Sequence, residues 1–195
     1  MIIRKKIQHL ILSVLVDPLA KILIYCHIGP NLITLIGLLL TIGVAYLFSA
    51  GYFIAAGIGL LVASLFDVLD GAVARMNNSE SKLGSVLDSV SDRIGESALF
   101  LGLLIFYLDA GDSAGVILAF TAALLGFLVS YTRAKAEILG IPGTVGLVTR
   151  PERVILLTLG ALLGLLPVFL GVVAVGSLIT FVQRFIQISQ SMKES

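Results

Sequence analysis

Residues 67–92 read DVLDGAVARMNNSESKLGSVLDSVSD, and this stretch places four aspartates within two apolar runs of the chain. On the first run, Asp67 and Asp70 share a helix face with two small residues at i+4 and i+7; on the second, Asp88 and Asp92 lie one turn apart. A carboxylate in a membrane helix costs at least a few kcal/mol and normally faces a cavity or a partner. The two faces are therefore expected to meet across one cleft.

The composition of the whole chain excludes an ordinary soluble domain. Of its 195 residues, 58% are hydrophobic and 13% are charged, and the mean hydropathy is +1.08. The same abundance of apolar residues excludes a disordered chain. A net charge of +1 argues against nucleic acid as a partner, because binding to phosphate backbones uses concentrated lysine and arginine. We expect an all-α integral membrane protein, in which the single cysteine, Cys26, forms no intrachain disulfide.

The apolar runs predict a single membrane domain over residues 1–195, built from six transmembrane helices. An amphipathic juxtamembrane segment at 1–27 precedes them, and its apolar stripe after three basic residues indicates a helix that lies in the membrane interface. The six predicted helices cover residues 32–50, 52–74, 84–108, 113–139, 151–165 and 167–188.

The basic residues predict the orientation of this bundle. With six spans and a cytoplasmic N-terminus, all 13 Lys and Arg residues fall on the cytoplasmic side. The only charged residues in the loops of the other side are then Asp109 and Asp112. We therefore predict cytoplasmic N- and C-termini in a multi-pass protein of the cell membrane. Asp67 lies eight residues before Arg75, about 12 Å along a helix, so the aspartate site is expected to open to the cytoplasm and reach into the acyl region.

The four aspartates favour a divalent metal site. Oxygen ligands without histidine or cysteine suit hard cations such as Mg²⁺, Mn²⁺ or Ca²⁺. Four carboxylates can hold two such ions about 3.5 to 4 Å apart, an arrangement used in phosphoryl chemistry. A proton or cation pathway, as in a divalent-cation transporter, is the alternative that the residues alone leave open.

The spacing of this motif resembles the signature of the CDP-alcohol phosphotransferases. All eight signature positions match, at Asp67, Asp70, Gly71, Ala74, Arg75, Gly84, Asp88 and Asp92. The resemblance implies an enzyme that displaces CMP from a CDP-alcohol by the hydroxyl of a second alcohol, using two Mg²⁺ or Mn²⁺ ions and acting as a homodimer. It also implies that the four aspartates hold the metals, and that Asp92 takes the proton of the acceptor.

The resemblance further implies where the cytidine nucleotide of a CDP-lipid binds. The segment from Pro30 to Thr34 is similar to the family's entry into its first helix. The implied nucleotide-binding residues are Pro30, Asn31, Leu32, Ile33, Thr34, Gly71, Ala74, Arg75, Ser81 and Gly84. In physical terms, the two glycines can admit a flat base, and the arginine can pair with the pyrophosphate.

Basic residues near the cytoplasmic ends of the last three predicted helices favour a phosphorylated acceptor, because arginine and lysine form charge-assisted bonds with phosphate. The sequence around them resembles the branch of phosphatidylinositol phosphate and archaetidylinositol phosphate synthases. That branch implies inositol phosphate binding by Ser130, Arg133, Lys135, Arg150, Arg153 and Arg184. Glycerol 3-phosphate, the acceptor of phosphatidylglycerol phosphate synthases, is the alternative. Either CDP-diacylglycerol or CDP-archaeol fits as the donor.

Overall fold

The chain forms seven α-helices in the part described by its computed structural model, residues 16–143 and 145–194. In chain order they are α1 (Asp17–Tyr25), α2 (Pro30–Ser49), α3 (Phe53–Met76), α4 (Lys82–Asp109), α5 (Ser113–Ile138), α6 (Arg150–Leu163) and α7 (Leu166–Glu194). The bounds predicted for α2 to α7 lie within two residues of those observed, except that α7 extends six residues beyond the predicted end at 188.

Prolines, a capping box and one glycine set several of these boundaries. Pro30 begins α2, and Pro151 lies in the first turn of α6, where its missing N–H removes no intrahelical hydrogen bond. A capping box of Thr149 and Glu152 also starts α6, and the Thr149 N–H donates to Glu152 Oε2 at 3.0 Å. Gly164 ends α6 with a φ of 68°, a left-handed conformation that favours glycine.

Among the described residues, four helices are long and apolar enough to cross a membrane: α2, α3, α5 and α7. The N-terminal part of α4 is instead rich in charge, with Asp88, Asp92, Arg93 and Glu96. With 14 residues, α6 is only about 21 Å long, shorter than a hydrocarbon core of about 30 Å. The chain is thus an all-helical, multi-pass membrane protein, and the count of six spans stays a prediction.

Two compact units make up the chain, and the first comprises the described residues up to Gly43 together with Gly59–Gly95. It contains α1 and those parts of α2, α3 and α4 that carry the aspartate motif. Its core is formed by Val16, Ala20, Ile33, Leu69, Ala72 and Val73. The predicted amphipathic segment at 1–27 therefore contributes to this core through Val16 and Ala20, whereas its first 15 residues, with the apolar stripe that follows the three basic residues, lie outside the described residues.

The second unit comprises Val44–Ile58 and the described residues from Glu96 onward. In it, α7 packs against both α5 and α6. Leu157, Leu170 and Val173 are buried in its core, together with two charged side chains, Arg153 and Arg184. Burying a cation is costly unless it is paired or hydrogen-bonded, so these two arginines are candidates for a functional role.

Candidate active site

A cavity of about 310 Å³ lies in the first unit, near the C-terminal end of α3 and the start of α4, the two helices that carry the aspartate motif. The start of α2, the C-terminal part of α3, the start of α4 and the α3–α4 loop form its walls. It is lined by Pro30, Asn31, Thr34, Asp70, Gly71, Ala74, Arg75, Ser79, Glu80, Ser81, Gly84, Ser85 and Asp88. This lining combines carboxylates, hydroxyls and one guanidinium with small residues, a composition that suits a polar ligand.

Three of the four motif aspartates converge in the same unit. Oxygens of Asp67, Asp88 and Asp92 all lie within 4.8 Å of one another, and the three residues are partly buried. Helices α3 and α4 thus bring their carboxylate faces together, as the spacing of the motif predicts. Arg93 Nη1 lies 3.3 Å from Asp92 Oδ2 and donates to the Ser89 carbonyl oxygen. Carboxylates this close repel one another unless cations or protons lie between them, and an all-oxygen ligand set fits a hard divalent cation.

Asp70, the fourth predicted metal ligand, does not join this cluster among the described residues. Its carboxylate is 5% exposed and accepts two hydrogen bonds, one from Thr34 Oγ1 at 2.6 Å and one from the Gly71 N–H at 2.5 Å. These two donors explain why its oxygens lie apart from the other three carboxylates. Asp70 nevertheless lines the same cavity as Asp88.

Thr34→Val is expected to lower the free energy of unfolding by about 1.5 to 3 kcal/mol, because it removes a buried hydrogen bond to a charged acceptor. Unfolding in detergent, followed by circular dichroism, measures this loss. Thr41→Val on the same helix is the matched control, since Thr41 Oγ1 donates to the Gly37 carbonyl of its own helix. Equal losses in the two variants would show that the bond to Asp70 adds nothing to stability.

Most of the predicted nucleotide-binding residues line the cavity, but two do not. Leu32 is 51% exposed, and Ile33 is 1% exposed within the hydrophobic core of the first unit. Successive residues of a helix point about 100° apart, so five consecutive residues at the start of α2 cannot all face one cavity. Of that segment, Pro30, Asn31 and Thr34 line the cavity and Leu32 and Ile33 do not, so contact of these last two residues with the nucleotide stays a prediction that the cavity does not support.

Gly84 occupies a position at which a side chain would crowd the cavity wall. A Cβ there would lie 3.1 Å from Ser81 Oγ and 3.2 Å from Asn31 Oδ1. The Gly84 N–H donates to Ser81 Oγ at 3.0 Å, so Ser81 satisfies a free N–H in the first turn of α4. The glycine therefore lets two polar side chains from different elements meet at this edge of the cavity.

The cavity also contains three residues that the sequence analysis did not select. Ser79 and Glu80 come from the α3–α4 loop, and Ser85 comes from the first turn of α4. All three lie between the two halves of the aspartate motif, so their position in the sequence was the one available signal. Their residue types are common in loops and helix starts, which is why they do not stand out by themselves.

The residues predicted to bind an acceptor phosphate differ widely in burial. Arg153 is 1% exposed and Arg184 is 3% exposed, and Ser130 is also buried. Arg133 and Lys135 are exposed: Arg133 Nε donates to Glu137 Oε1 at 2.8 Å, and Lys135 Nζ lies 5.8 Å from the centre of the Tyr131 ring. Arg150 is the first residue of α6.

Arg184 forms the centre of a positively charged region in the second unit. Its Nε donates to the Val145 carbonyl at 2.7 Å, and its Nη1 donates to the Val129 carbonyl at 2.6 Å. Arg133 and Arg153 both lie within electrostatic range of it, together with Glu137, and each of these two arginines is paired with a glutamate. Backbone carbonyls orient a guanidinium but do not neutralise its charge, so this region attracts an anion.

The family model of the CDP-alcohol phosphatidyltransferases matches residues 27–188. The chain belongs to this family. This phosphatidyltransferase is thus an enzyme of the class that its aspartate motif predicts. It is 36% identical over 189 residues to a phosphatidylinositol phosphate synthase of Corynebacterium glutamicum, a match that covers 92% of this chain and 86% of that protein. It is 35% identical over 170 residues to an archaetidylinositol phosphate synthase of Pyrococcus horikoshii, covering 86% and 87% of the two chains.

This phosphatidyltransferase has the same fold as a mycobacterial relative whose crystal structure is known. It superposes on the crystal structure of Mycobacterium tuberculosis phosphatidylinositol phosphate synthase with CDP-DAG bound, with a TM-score of 0.83 and 32% identity, covering 89% of this chain and 93% of that one. The same synthase in complex with manganese and citrate gives a TM-score of 0.81. Together with the Asp67, Asp88 and Asp92 cluster, the manganese complex supports divalent metal binding by this chain.

Proposed function

We propose that this enzyme transfers the phosphatidyl-type group of a CDP-lipid to a hydroxyl of inositol 1-phosphate and releases CMP. The observation that carries this proposal is the cluster of Asp67, Asp88 and Asp92, in which Asp88 also lines the cavity of the first unit. A carboxylate cluster that could hold a divalent cation, and that shares a residue with a polar cavity, suits a nucleoside diphosphate. The cation would offset the negative charge of the two phosphates. CDP-diacylglycerol and CDP-archaeol are both proposed as donors. The two lipids carry the same cytidine nucleotide, and the cavity residues are proposed to contact that nucleotide.

The metal proposal assigns two divalent ions, Mg²⁺ or Mn²⁺, to the four motif aspartates. Asp67, Asp88 and Asp92 would hold a cation through carboxylate oxygens, and Asp70 would complete the set from the cavity wall. When bound, the divalent metal offsets the negative charge that develops on the phosphates during transfer.

The remaining steps rest on residues of this chain. Asn31, Arg75 and Ser81 offer polar contacts to the cytidine nucleotide, and Gly71 and Gly84 keep the cavity open. Asp92 takes the proton of the attacking hydroxyl, whose oxygen bonds to the phosphorus that carries the lipid. The bond from that phosphorus to the oxygen of CMP breaks, and CMP leaves with the bonding electrons.

The acceptor proposal rests on the second unit. Arg184 is a buried cation whose acceptors are backbone carbonyls, and two further arginines, Arg133 and Arg153, lie within electrostatic range of it, each paired with a glutamate. Such a region favours a phosphorylated acceptor over choline, ethanolamine or free inositol. Inositol 1-phosphate is preferred over glycerol 3-phosphate because the named relatives are a phosphatidylinositol phosphate synthase and an archaetidylinositol phosphate synthase.

Release of CMP from purified enzyme tests this proposal. CDP-diacylglycerol or CDP-archaeol is offered with inositol 1-phosphate, glycerol 3-phosphate or inositol, each with Mg²⁺, with Mn²⁺ or with EDTA. We expect release with a divalent cation and inositol 1-phosphate, and none with EDTA. Preference for glycerol 3-phosphate would assign the enzyme to the alternative branch. Cation flux through proteoliposomes without nucleotide, and no CMP release, would favour the transporter.

The topology proposal comprises six spans, cytoplasmic termini and a cytoplasmic opening of the site, in a single domain over residues 1–195 that forms a homodimer. The family match across 27–188 supports the single domain, because it covers residues of both units. The positive-inside distribution of the basic residues supports the orientation.

Cysteine labelling tests the orientation. In a Cys26→Ser background, Asn77→Cys in the α3–α4 loop is expected to resist a membrane-impermeant maleimide in intact cells and to react after lysis. Asn77 is used because the neighbouring Asn78 has a φ of 49°, which a cysteine would tolerate less well. The matched control is Ala110→Cys at the end of α4, which should react in intact cells. Reaction of the loop cysteine from outside would overturn the proposed orientation.

A further inference from the structure

Glu96 is a carboxylate that the eight-position aspartate motif does not include. It follows Asp92 by four residues on α4, and its side chain is 15% exposed. Both of its oxygens contact one arginine: Oε1 accepts from Arg153 Nε at 2.5 Å, and Oε2 accepts from Arg153 Nη2 at 2.8 Å. A bidentate pair of this kind fixes the plane of the guanidinium as well as its position.

The third guanidinium nitrogen of Arg153, Nη1, takes no part in this ion pair. Within the described residues, Arg153 Nη1 is buried and has no hydrogen-bond partner, and the residue is 1% exposed. A buried donor without an acceptor is costly, and such groups in native proteins call for an explanation. Arg184 lies within electrostatic range and has backbone carbonyls as its acceptors. An anionic oxygen would accept a hydrogen bond from the free Nη1 and offset the charge of the nearby Arg184, which the backbone carbonyls do not neutralise.

Gly126 on α5 provides the space in which this pair lies. A Cβ at this position would be 3.2 Å from Arg153 Nε and 3.3 Å from Glu96 Oε1. Both distances are tighter than ordinary van der Waals contacts, so any side chain here would displace the two groups. The lack of a side chain at Gly126 therefore leaves room for the ion pair beside α5.

We propose that Glu96 is a positioning residue that orients Arg153 so that its free Nη1 faces the phosphate of the acceptor. This inference rests on the proposed function, because it needs a phosphorylated acceptor. Glu96 acts through Arg153 rather than on the substrate, since both of its oxygens are occupied by Nε and Nη2. Three requirements follow: a negative charge at residue 96, two oxygens in one plane and no side chain at residue 126.

Glu96→Gln tests the charge and the bidentate geometry together. A glutamine amide has one acceptor oxygen, and its NH₂ group faces an arginine nitrogen that also donates, so the guanidinium is expected to rotate. We expect the KM for inositol 1-phosphate to rise about tenfold or more, while the KM for CDP-diacylglycerol changes little. Asp109→Asn is the matched control, because it removes an exposed carboxylate at the far end of the same helix. Its two KM values should match those of the wild type.

Gly126→Ala is the second variant and keeps both charges. The added methyl group displaces the pair, so the acceptor KM should rise while the CDP-lipid KM and the melting temperature change much less. Gly171→Ala is its control, since a Cβ at that position on α7 meets nothing within 4 Å. If loss of the buried charge prevents Glu96→Gln from folding, the Gly126 variant still tests the inference.

The outcomes separate this inference from the proposed function. A wild-type enzyme that releases no CMP with inositol 1-phosphate would overturn the proposed function. An active wild type, with an unchanged acceptor KM in a folded Glu96→Gln or in Gly126→Ala, would overturn the positioning role alone. A proportional rise of both KM values, together with a lower melting temperature, would show that the pair only holds the helices together. A selective rise of the acceptor KM supports the inference.

Discussion

Asp92→Asn is expected to lower kcat for CMP release by about 10² to 10⁴-fold, the range that loss of a general base produces. The asparagine keeps the size of the side chain and one oxygen that can still contact a cation. Its amide does not take up a proton at neutral pH. The variant therefore separates acceptance of the proton from metal binding, two roles that are both proposed for Asp92, whose carboxylate lies with those of Asp67 and Asp88.

Titration with Mn²⁺ distinguishes these two roles in the Asp92 variant. If its lower rate reflects weak metal binding, saturating Mn²⁺ restores turnover; if it reflects the missing base, the rate stays low at every concentration. Asp109→Asn on the exposed end of α4 serves again as the control and should keep the wild-type kcat. Near-normal CMP release from Asp92→Asn would remove this residue from the proposed proton transfer.

Arg184→Gln is expected to raise the KM for inositol 1-phosphate by about 10 to 150-fold, with little change in the KM for the CDP-lipid. A charge-assisted hydrogen bond contributes about 1.5 to 3 kcal/mol, which corresponds to this factor in affinity. Arg184 is 3% exposed and is oriented by the Val129 and Val145 carbonyls. A glutamine amide can still donate to one of these carbonyls, so the variant removes the charge with limited disturbance of the fold.

Three acceptors measured side by side separate binding of phosphate from support of the structure. The KM values of the Arg184 variant are compared for inositol 1-phosphate, glycerol 3-phosphate and unphosphorylated inositol. Lys193→Gln, at an exposed position near the end of the same helix, is the control for loss of one positive charge. Equal losses for phosphorylated and unphosphorylated acceptors would show that Arg184 supports the fold rather than binding the substrate.

The sequence by itself determined the helices and the family. Apolar runs separated by glycine, proline and polar residues predict the helices α2 to α7, because an α-helix satisfies its own backbone hydrogen bonds and needs no distant contact to form in an apolar run. The motif from Asp67 to Asp92 predicted the family because it resembles the family's signature at eight positions within one short stretch of sequence, which is a local property. The convergence of Asp67, Asp88 and Asp92 is local as well, since two helices joined by a short loop bring those faces together.

Only the tertiary structure decided which side chains of the motif segments share a contact. Asp70 is held by Thr34, which is 36 residues away in sequence, and so it lies outside the cluster of three aspartates. Arg153 pairs with Glu96 across 57 residues, and Arg184 donates to a carbonyl 55 residues away. No period along the chain encodes such pairs, because they depend on how α4, α5, α6 and α7 pack. The free Nη1 of Arg153, on which the inference about the acceptor depends, appears only once those helices are in place.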